Sequence, residues 1–293
     1  MAPKGTKSAL AKELGVSRGM VYYRHKQPDK DEHLRRQIES VMLKHPGYGH
    51  KRVADDLKIS RKRARRIMKL YGLKPARRAR APSKPLDQGT PQSNAPDILS
   101  KLSPIAPDTV WVADFTYIWF HTRHVYLATV MDRFTREVLG VSIMTDHSAE
   151  LVVRALTMAL RGADATPQWF HSDQGSEYTS YGLTHVLEQN NIQVSHSPKS
   201  SPWRNGSQES FFGRFKVEFG DPERFATMPE LMEAMYCYIS YYNTERIHSV
   251  HRAPPLTARE RHQATRTRYP QVMSLPRTPS RPCGPEEQPV LLI

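Results

Sequence analysis

Three runs of aromatic and β-branched residues, at 109–120, 124–131 and 137–144, follow one another with only a few residues between them. Connections that short join antiparallel neighbours, because a parallel pair needs a crossover of a dozen residues or more. The spacing predicts a meander with turns at His121-Thr-Arg and Asp132-Arg-Phe-Thr. Downstream, 148–161 repeats Leu151, Val152, Ala155, Leu156, Ala159 and Leu160 at helical spacing. Short strands at 167–171 and 191–196 alternate with helices at 179–189, 207–219 and 228–247, the last opened by a Thr227-x-x-Glu230 capping box. The order β-β-β-α-β-α-β-α-α is no repeating βαβ wind, and it predicts a mixed α/β layered domain over residues 109–262.

The first third is built differently. Residues 1–85 hold 24 Lys and Arg against 7 Asp and Glu, a balance of +17, while the rest hold 19 against 22. Such a block is the electrostatic footprint of a phosphate-backbone binder, the alternative being a solvated basic surface. Residues 1–28 read as a compact helix-turn-helix. Ala9, Leu10, Leu14 and Val16 lie near helical spacing, Gly15 breaks the helix, and Ser17 caps a second one carrying Arg18, Tyr22 and Arg24 outward. Residues 29–75 form a second, basic helix-turn-helix domain. It has a helix at 31–43, a stop at His45-Pro-Gly-Tyr-Gly49, a short helix at 52–57 starting with Arg52, and a third at 61–71 between Ser60 and Gly72. On that third helix Arg61, Lys62, Arg63, Arg65, Arg66 and Lys69 surround a thin stripe of Ala64, Ile67 and Leu70, which suits a DNA-facing helix better than a core one. Residues 76–108 read as a Pro-rich linker whose Arg77, Arg78 and Arg80 suit a phosphate backbone, and 263–293 as a Pro-rich, irregular tail. No apolar run approaches the roughly 20 residues that span a bilayer. The N-terminus has no secretory h-region, and the two cysteines, Cys237 and Cys283, make neither a disulfide framework nor a zinc site. These features describe a soluble, reduced, cytoplasmic protein.

Three acids stand out. Asp114 lies inside Trp111-Val-Ala-Asp-Phe-Thr-Tyr117, Asp173 follows the strand ending at His171, and Glu209 falls in the first turn of helix 207–219, with 35 residues between it and Asp173. Converging carboxylates repel one another and raise their pKa values. Two divalent ions about 3.5–4 Å apart relieve that repulsion and serve phosphoryl transfer, and oxygen-only ligands favour Mg²⁺ or Mn²⁺. The ordinary alternative makes each acid a cap or a surface residue. Lys216 lies on the face of Glu209, roughly 10 Å along the helix, placed to grip DNA beside the site. The loop residues Trp203, Arg204 and Asn205 are placed to meet the scissile bond. His171 and His196 read as hydrogen-bonded neighbours rather than ligands. Asp132, Asp146, Glu177 and Glu218 read as turn, cap and surface acids, and Tyr236, Tyr238, Tyr241 and Tyr242 as core and interface.

At these residues the chain resembles a known family. Trp111-x-x-Asp114-x-Thr-Tyr117, His171-Ser-Asp173-Gln-Gly-Ser-x-Tyr178, Ser201-Pro-x-x-Asn205-Gly-x-x-Glu209-Ser-Phe-Phe-x-x-x-Lys216 and Tyr242-Asn-x-x-Arg246-x-His248 are similar to the integrase core of OrfB-type transposases of bacterial insertion sequences. Residues 31–74, with Tyr48-Gly-x-x-Arg52, resemble the helix-turn-helix region that precedes such cores. The resemblance implies an RNase H-like fold, with Asp114, Asp173 and Glu209 as a catalytic triad holding two Mg²⁺ or Mn²⁺ ions. It also implies strand cleavage and strand transfer on double-stranded DNA, by a homodimer or larger assembly at paired transposon ends. Some relatives are fused to an upstream helix-turn-helix protein, which makes such a protein a further expected partner. The segment after His248 departs from the family by lacking Leu-Gly, and no His/Cys zinc domain of the retroviral sort is present, so end recognition falls to the basic helices. Two other readings remain at this point: an RNase H-like nuclease that hydrolyses without joining, and a DNA-binding regulator with an inactive core.

Overall fold

The computed structural model describes residues 7–17, 20, 27–77, 95–100, 102–198 and 205–268. Arg18, Arg24, Trp203, Arg204 and the tail from 269 onward lie outside the described residues.

Helix α1 (Lys7–Glu13) ends ahead of Gly15, which takes φ +62°. Met20 N–H donates to the Ser17 hydroxyl, the capping role expected of Ser17. Helices α2 (Gln27–Lys44), α3 (His50–Asp56) and α4 (Arg61–Leu70) then enclose a core of Leu34, Ile38, Tyr48, Val53, Ala64 and Ile67. Ser60 caps α4 by accepting from Arg63 N–H. The buried stripe of α4 is Ala64, Ile67 and Met68, whereas Leu70 is 60% exposed. The reason is the turn at Gly72, φ +67°, which brings Leu73 back to bond the Met68 carbonyl and to pack where Leu70 was expected.

The meander forms as the spacing predicts. Strand β1 (Val110–Phe120) pairs antiparallel with β2 (Arg123–Asp132), from Trp111 opposite Asp132 to Phe120 opposite Arg123, and β2 pairs with β3 (Val138–Met144). Helix α5 (Ala149–Gly162) leads to β4 (Trp169–Ser172), which lies parallel to β1 on its other side. Helix α6 (Tyr181–Gln189) leads to β5 (Gln193–His196), parallel to β4. The sheet order is β3-β2-β1-β4-β5. Alternation along β1 divides the core. Trp111 and Ala113 face α5 and α6, while Val110, Val112 and Ile118 face α7 (Gly206–Glu218) and α8 (Met228–Thr244). The Thr227 capping box opens α8 as expected.

Three sequence expectations need correction. The irregular tail does not begin at 263, because α9 (Pro255–Arg268) carries the chain on to Arg268. Arg259 fastens that helix to the β2–β3 end of the sheet, bonding Glu137 at 2.5 Å and Asp108 at 2.6 Å. Glu218 is not a surface acid. It accepts two bonds of 2.7 Å from Arg246, with both side chains almost wholly buried, and a third from the Tyr238 hydroxyl at 2.9 Å. Asp132, placed correctly at a turn, is also fully buried, accepting from Thr135 and from Asp108 N–H.

The helical unit and the layered domain share contacts. Ile247 joins the core of α2–α4, its N–H donating to the Tyr48 hydroxyl at 2.6 Å. His45 stacks on Tyr48 and hydrogen-bonds the Tyr241 hydroxyl. Tyr238 and Tyr242 are buried and Tyr241 sits in this joint, so these three serve core and interface as expected, whereas Tyr236 is exposed and belongs to neither. Among the described residues no helix is long and apolar enough to cross a membrane.

Candidate active site

Asp114 lies within β1 two residues beyond Val112, the partner of His171 in β4, and Asp173 stands two residues beyond His171, just past the end of β4. Two parallel neighbours thus carry an acid each at the same level and on the same face of the sheet. The Asp114 carboxylate accepts from Phe115 N–H at 2.8 Å, and that of Asp173 from Gly175 N–H at 3.1 Å. A β-carbon on Gly175 would stand 3.2 Å from the Asp173 carboxylate and 3.0 Å from that of Glu177, so glycine leaves the acids room.

Burial pushes the Asp114 carboxyl up to about 7, with the charge of Asp173 next in weight and that of Glu209 also adding; the Phe115 N–H opposes them. Burial raises Asp173 as well, with Glu177 adding and the Gly175 N–H opposing. Tyr178 is buried beside them, its hydroxyl held well above the usual range by burial and by the charges of Asp114, Asp173 and Glu177. That hydroxyl has no hydrogen-bond partner among the described residues.

Glu209 comes from the other side. It stands exposed in the first turn of α7, and its neighbours fix the helix to the backbone around Asp114. The buried Gln208 amide donates to the Val112 carbonyl at 2.8 Å and the Thr129 carbonyl at 3.3 Å, while its oxygen accepts from the Thr129 hydroxyl. Thr129 is the cross-strand partner of Asp114. The Asn205 amide donates to the Ala113 carbonyl at 3.0 Å. Asn205 was expected to face DNA. It is instead 6% exposed, and it fastens the entrance of α7 to β1. Asn205 and Gln208 grip the carbonyls of Ala113 and Val112, the two β1 residues before Asp114, a positioning role that sequence reasoning missed. A polar residue just before an acid gives no local sign of bonding a strand some 90 residues upstream.

The structure therefore brings Asp114 and Asp173 together and sets Glu209 on the helix above them. Among the described residues no three His, Cys, Asp or Glu stand close enough to ligate one ion. The donor chemistry nevertheless suits a hydrated divalent cation: two carboxylates in mutual repulsion, a third whose charge reaches the first, and an orphaned buried hydroxyl beside them. His171 and His196 bond Ser195 and Ser172 across the β4–β5 pair, as hydrogen-bonded neighbours should. Asp146 accepts from Ser148 N–H at the start of α5, and Glu177 bonds His147.

Of the expected DNA contacts, Lys62, Arg63, Arg65 and Lys69 stand exposed on α4. Arg66 does not fit that expectation so well, because its guanidinium is engaged by both oxygens of Asp31. Arg61 reaches Asp55 at 3.4 Å. Arg52 lies over the Tyr48 ring and is partly buried, and Lys216 holds its ammonium 5.2 Å from the Tyr117 ring centre.

Comparison with known proteins agrees with this arrangement. A family model described as "Integrase core domain" matches residues 104–202, and a second of the same description matches 190–255. The chain is 32% identical to the transposase of insertion sequence element IS904 from Lactococcus lactis, over 77% of this chain and 94% of that one. It is 30% identical to a transposase-like protein of Haemophilus influenzae, over 67% of this chain and 90% of the relative. Among solved structures, the integrase catalytic core of HTLV-2 in complex with magnesium aligns at 16% identity and a TM-score of 0.41, over 54% of this chain and 99% of that one. The fold is the RNase H-like integrase core preceded by a helical region, and the chain belongs to the OrfB-type insertion-sequence transposases that carry it.

Proposed function

We propose that the chain is a metal-dependent DNA transposase that cleaves at the terminal inverted repeats of its element and joins the freed ends to target DNA. The observation that carries this reading is the pair of acids on neighbouring strands, Asp114 within β1 and Asp173 just past β4, with α7 tied to β1 so that Glu209 overhangs them. Asp114, Asp173 and Glu209 would hold Mg²⁺ or Mn²⁺, two ions per site, supplying neutralisation of the carboxylates and charge stabilisation at the oxygens around phosphorus. The side chains of this chain do the placing. Gln208 and Asn205 fix the height of Glu209 above β1, Tyr178 bounds the acids on their buried flank, and Lys216 supplies positive charge farther along α7.

In cleavage a water oxygen bonds to phosphorus while the bond to the 3′ oxygen breaks, and that oxygen leaves as a 3′ hydroxyl. In joining, this hydroxyl attacks a phosphodiester of the target, loses its proton, and displaces the target's own 3′ oxygen. The exposed cations of α4 contact the end sequence, and two or more copies act on paired ends in the bacterial cytoplasm at the nucleoid. An upstream helix-turn-helix protein of the same element is a further partner in this reading.

The test is a reaction of labelled duplexes bearing the element's ends with Mg²⁺. Glu209→Gln and Asp114→Asn are expected to lower nicking and joining at least 100-fold while still binding the duplex. Unchanged products from Glu209→Gln would overturn the assignment, and nicking without joined products in the wild type would leave a nuclease alone.

A further inference from the structure

We infer that the joint between the helical unit and the catalytic domain contains a phosphodiester site, in which Arg52 of α3 and Arg133, Arg136 and Arg214 of the catalytic domain together hold the DNA backbone beside Glu209. This rests on the reading that the chain acts on DNA, and assigns that DNA a place.

Two cavities, of about 350 and 750 Å³, meet at this joint and share Arg52, Ser210 and Arg214 in their walls. Arg133 and Arg136, from the β2–β3 turn, line the smaller. Among the described residues no carboxylate lines either one. Arg246 also reaches the smaller cavity, but its charge is already met by Glu218. Among the described residues the others make no ion pair; the charge of Glu218, already bound to Arg246, reaches Arg52, and that of the buried Asp132 reaches Arg136. Arg52 Nε, Arg133 Nε and Arg136 Nη1 are buried with no hydrogen-bond partner among the described residues. Buried donors on cations are expensive to leave unmet. Burial, with Arg133 beside it, lowers the Arg136 guanidinium to about 10, and burial with Arg246 and Arg214 lowers Arg52. A counter-anion with several acceptor oxygens relieves every one of these deficits, and a phosphodiester is such a group.

The shape of the wall agrees. Gly206 and Gly213 line the two cavities along α7, and a β-carbon at either would stand in open space. Glycine inside a helix costs about 1 kcal/mol relative to alanine, and among the described residues nothing uses the room it leaves at Gly213. The bare backbone instead admits a close-lying polymer. These glycines are three residues before and four after Glu209, so they flank it on one helical face. A strand seated there passes the acid. The combined volume of two cavities that share walls favours an extended polyanion over a single ion. Arg136 itself sits at φ +70°, a conformation that favours glycine, so its side chain is carried on a strained backbone.

That strain supplies a test of opposite signs. The full chain is titrated with a duplex of about 30 base pairs in EDTA, where binding needs no chemistry, at salt from about 50 to 200 mM. Arg136→Gly should leave the melting temperature of the free protein equal or higher, yet weaken duplex binding. With Arg133→Gln added, affinity at the lowest salt should fall roughly 10- to 100-fold, and the slope of log K against log salt should shrink by about 2. Gly213→Leu, which fills the wall without removing charge, should weaken binding and leave that slope unchanged. Wild-type affinity and slope in the double variant would overturn the site while leaving the transposase reading intact. A wild type that binds no duplex would overturn both. The site would also be rejected if inorganic phosphate at about 10 mM raised the melting temperature as much as the duplex does, since it would then hold a free anion.

Discussion

Replacing Arg246 by Met removes the guanidinium and keeps most of the apolar stem. The partner left behind is Glu218, whose side chain is 2% exposed and which would lose both 2.7 Å bonds while keeping the one from the Tyr238 hydroxyl. Removing one member of a buried ion pair costs about 3–5 kcal/mol, because the survivor is an uncompensated charge. For a domain of this size that is roughly 6–20 °C in melting temperature. The sign with pH follows from the same cause. An unpaired buried carboxyl takes up a proton more readily than it does in the unfolded chain, so the mutant binds more protons folded than unfolded. Its deficit against the wild type should therefore be greatest near pH 8 and smaller near pH 5. Glu218→Gln in the Arg246→Met background keeps an acceptor for Tyr238 and removes the charge, and should recover more than half of the loss. Urea unfolding followed by circular dichroism and fluorescence at both pH values measures all of this, provided the two signals change together. A loss under about 1 kcal/mol, or one of equal size at both pH values, would refute the reasoning.

Three further outcomes are expected. Gln208→Leu removes the bonds to Val112, Thr129 and the Thr129 hydroxyl; it should lower stability by about 1–3 kcal/mol and Mg²⁺-dependent nicking more than ten-fold, with duplex affinity unchanged in a gel-shift titration. Asp114, raised from 3.8 to about 7, makes the metal-free folded state bind the extra proton, so stability should fall as pH rises from about 4 to 7, by about 4 kcal/mol from this group, and Asp114→Asn should flatten that part of the melting curve against pH. Gly140→Ala would drive a β-carbon into the Ala155 carbonyl and Ala159 of α5, and should destabilise by about 1–3 kcal/mol or more in the same urea assay, with the sheet pushed off its helix.

What the sequence shows of this molecule depends on how far each feature's cause reaches along the chain. The strands, helices and caps have local causes, so the meander, the Thr227 box and the Gly72 stop all appear where residue type and spacing put them. Asp114 and Asp173 are legible for the same reason, each being an acid beside a strand residue that can be counted. Glu218 was misread because its helix position looks like any last-turn acid. Its partners Arg246 and Tyr238 come from elements 20 to 28 residues on, and burial alone reveals them. Asn205 failed similarly. An amide in a breaker-rich loop looks solvent-facing until the strand carrying Ala113 is folded against it. Helix α9 has little apolar periodicity to announce it, being held largely through Arg259 and its two acids.

The same distance dependence changes where DNA should be sought. By net charge the catalytic part is nearly neutral, which assigns DNA contact to the basic first third. Net charge is a sum over groups that do not all meet. Asp108 and Glu137 are taken up by Arg259, and Glu218 by Arg246; Asp114, Asp173 and Glu177 act on one another at the candidate site, and none of them lines the two cavities. With those acids engaged, Arg133, Arg136 and Arg214 gather at one place with no ion pair among the described residues, the charge of the buried Asp132 acting on Arg136, and Arg52 meets them from the helical unit. A neutral total is thus compatible with a strongly basic local surface. Because that surface is made by both units, an anion bound across it holds α3 and α7 together. It adds to the contacts of Tyr48 with Ile247 and His45 with Tyr241. DNA seated there would fix the end-reading helix α4 relative to Glu209, so that the distance between the sequence read and the bond cut is set by the protein's own joint.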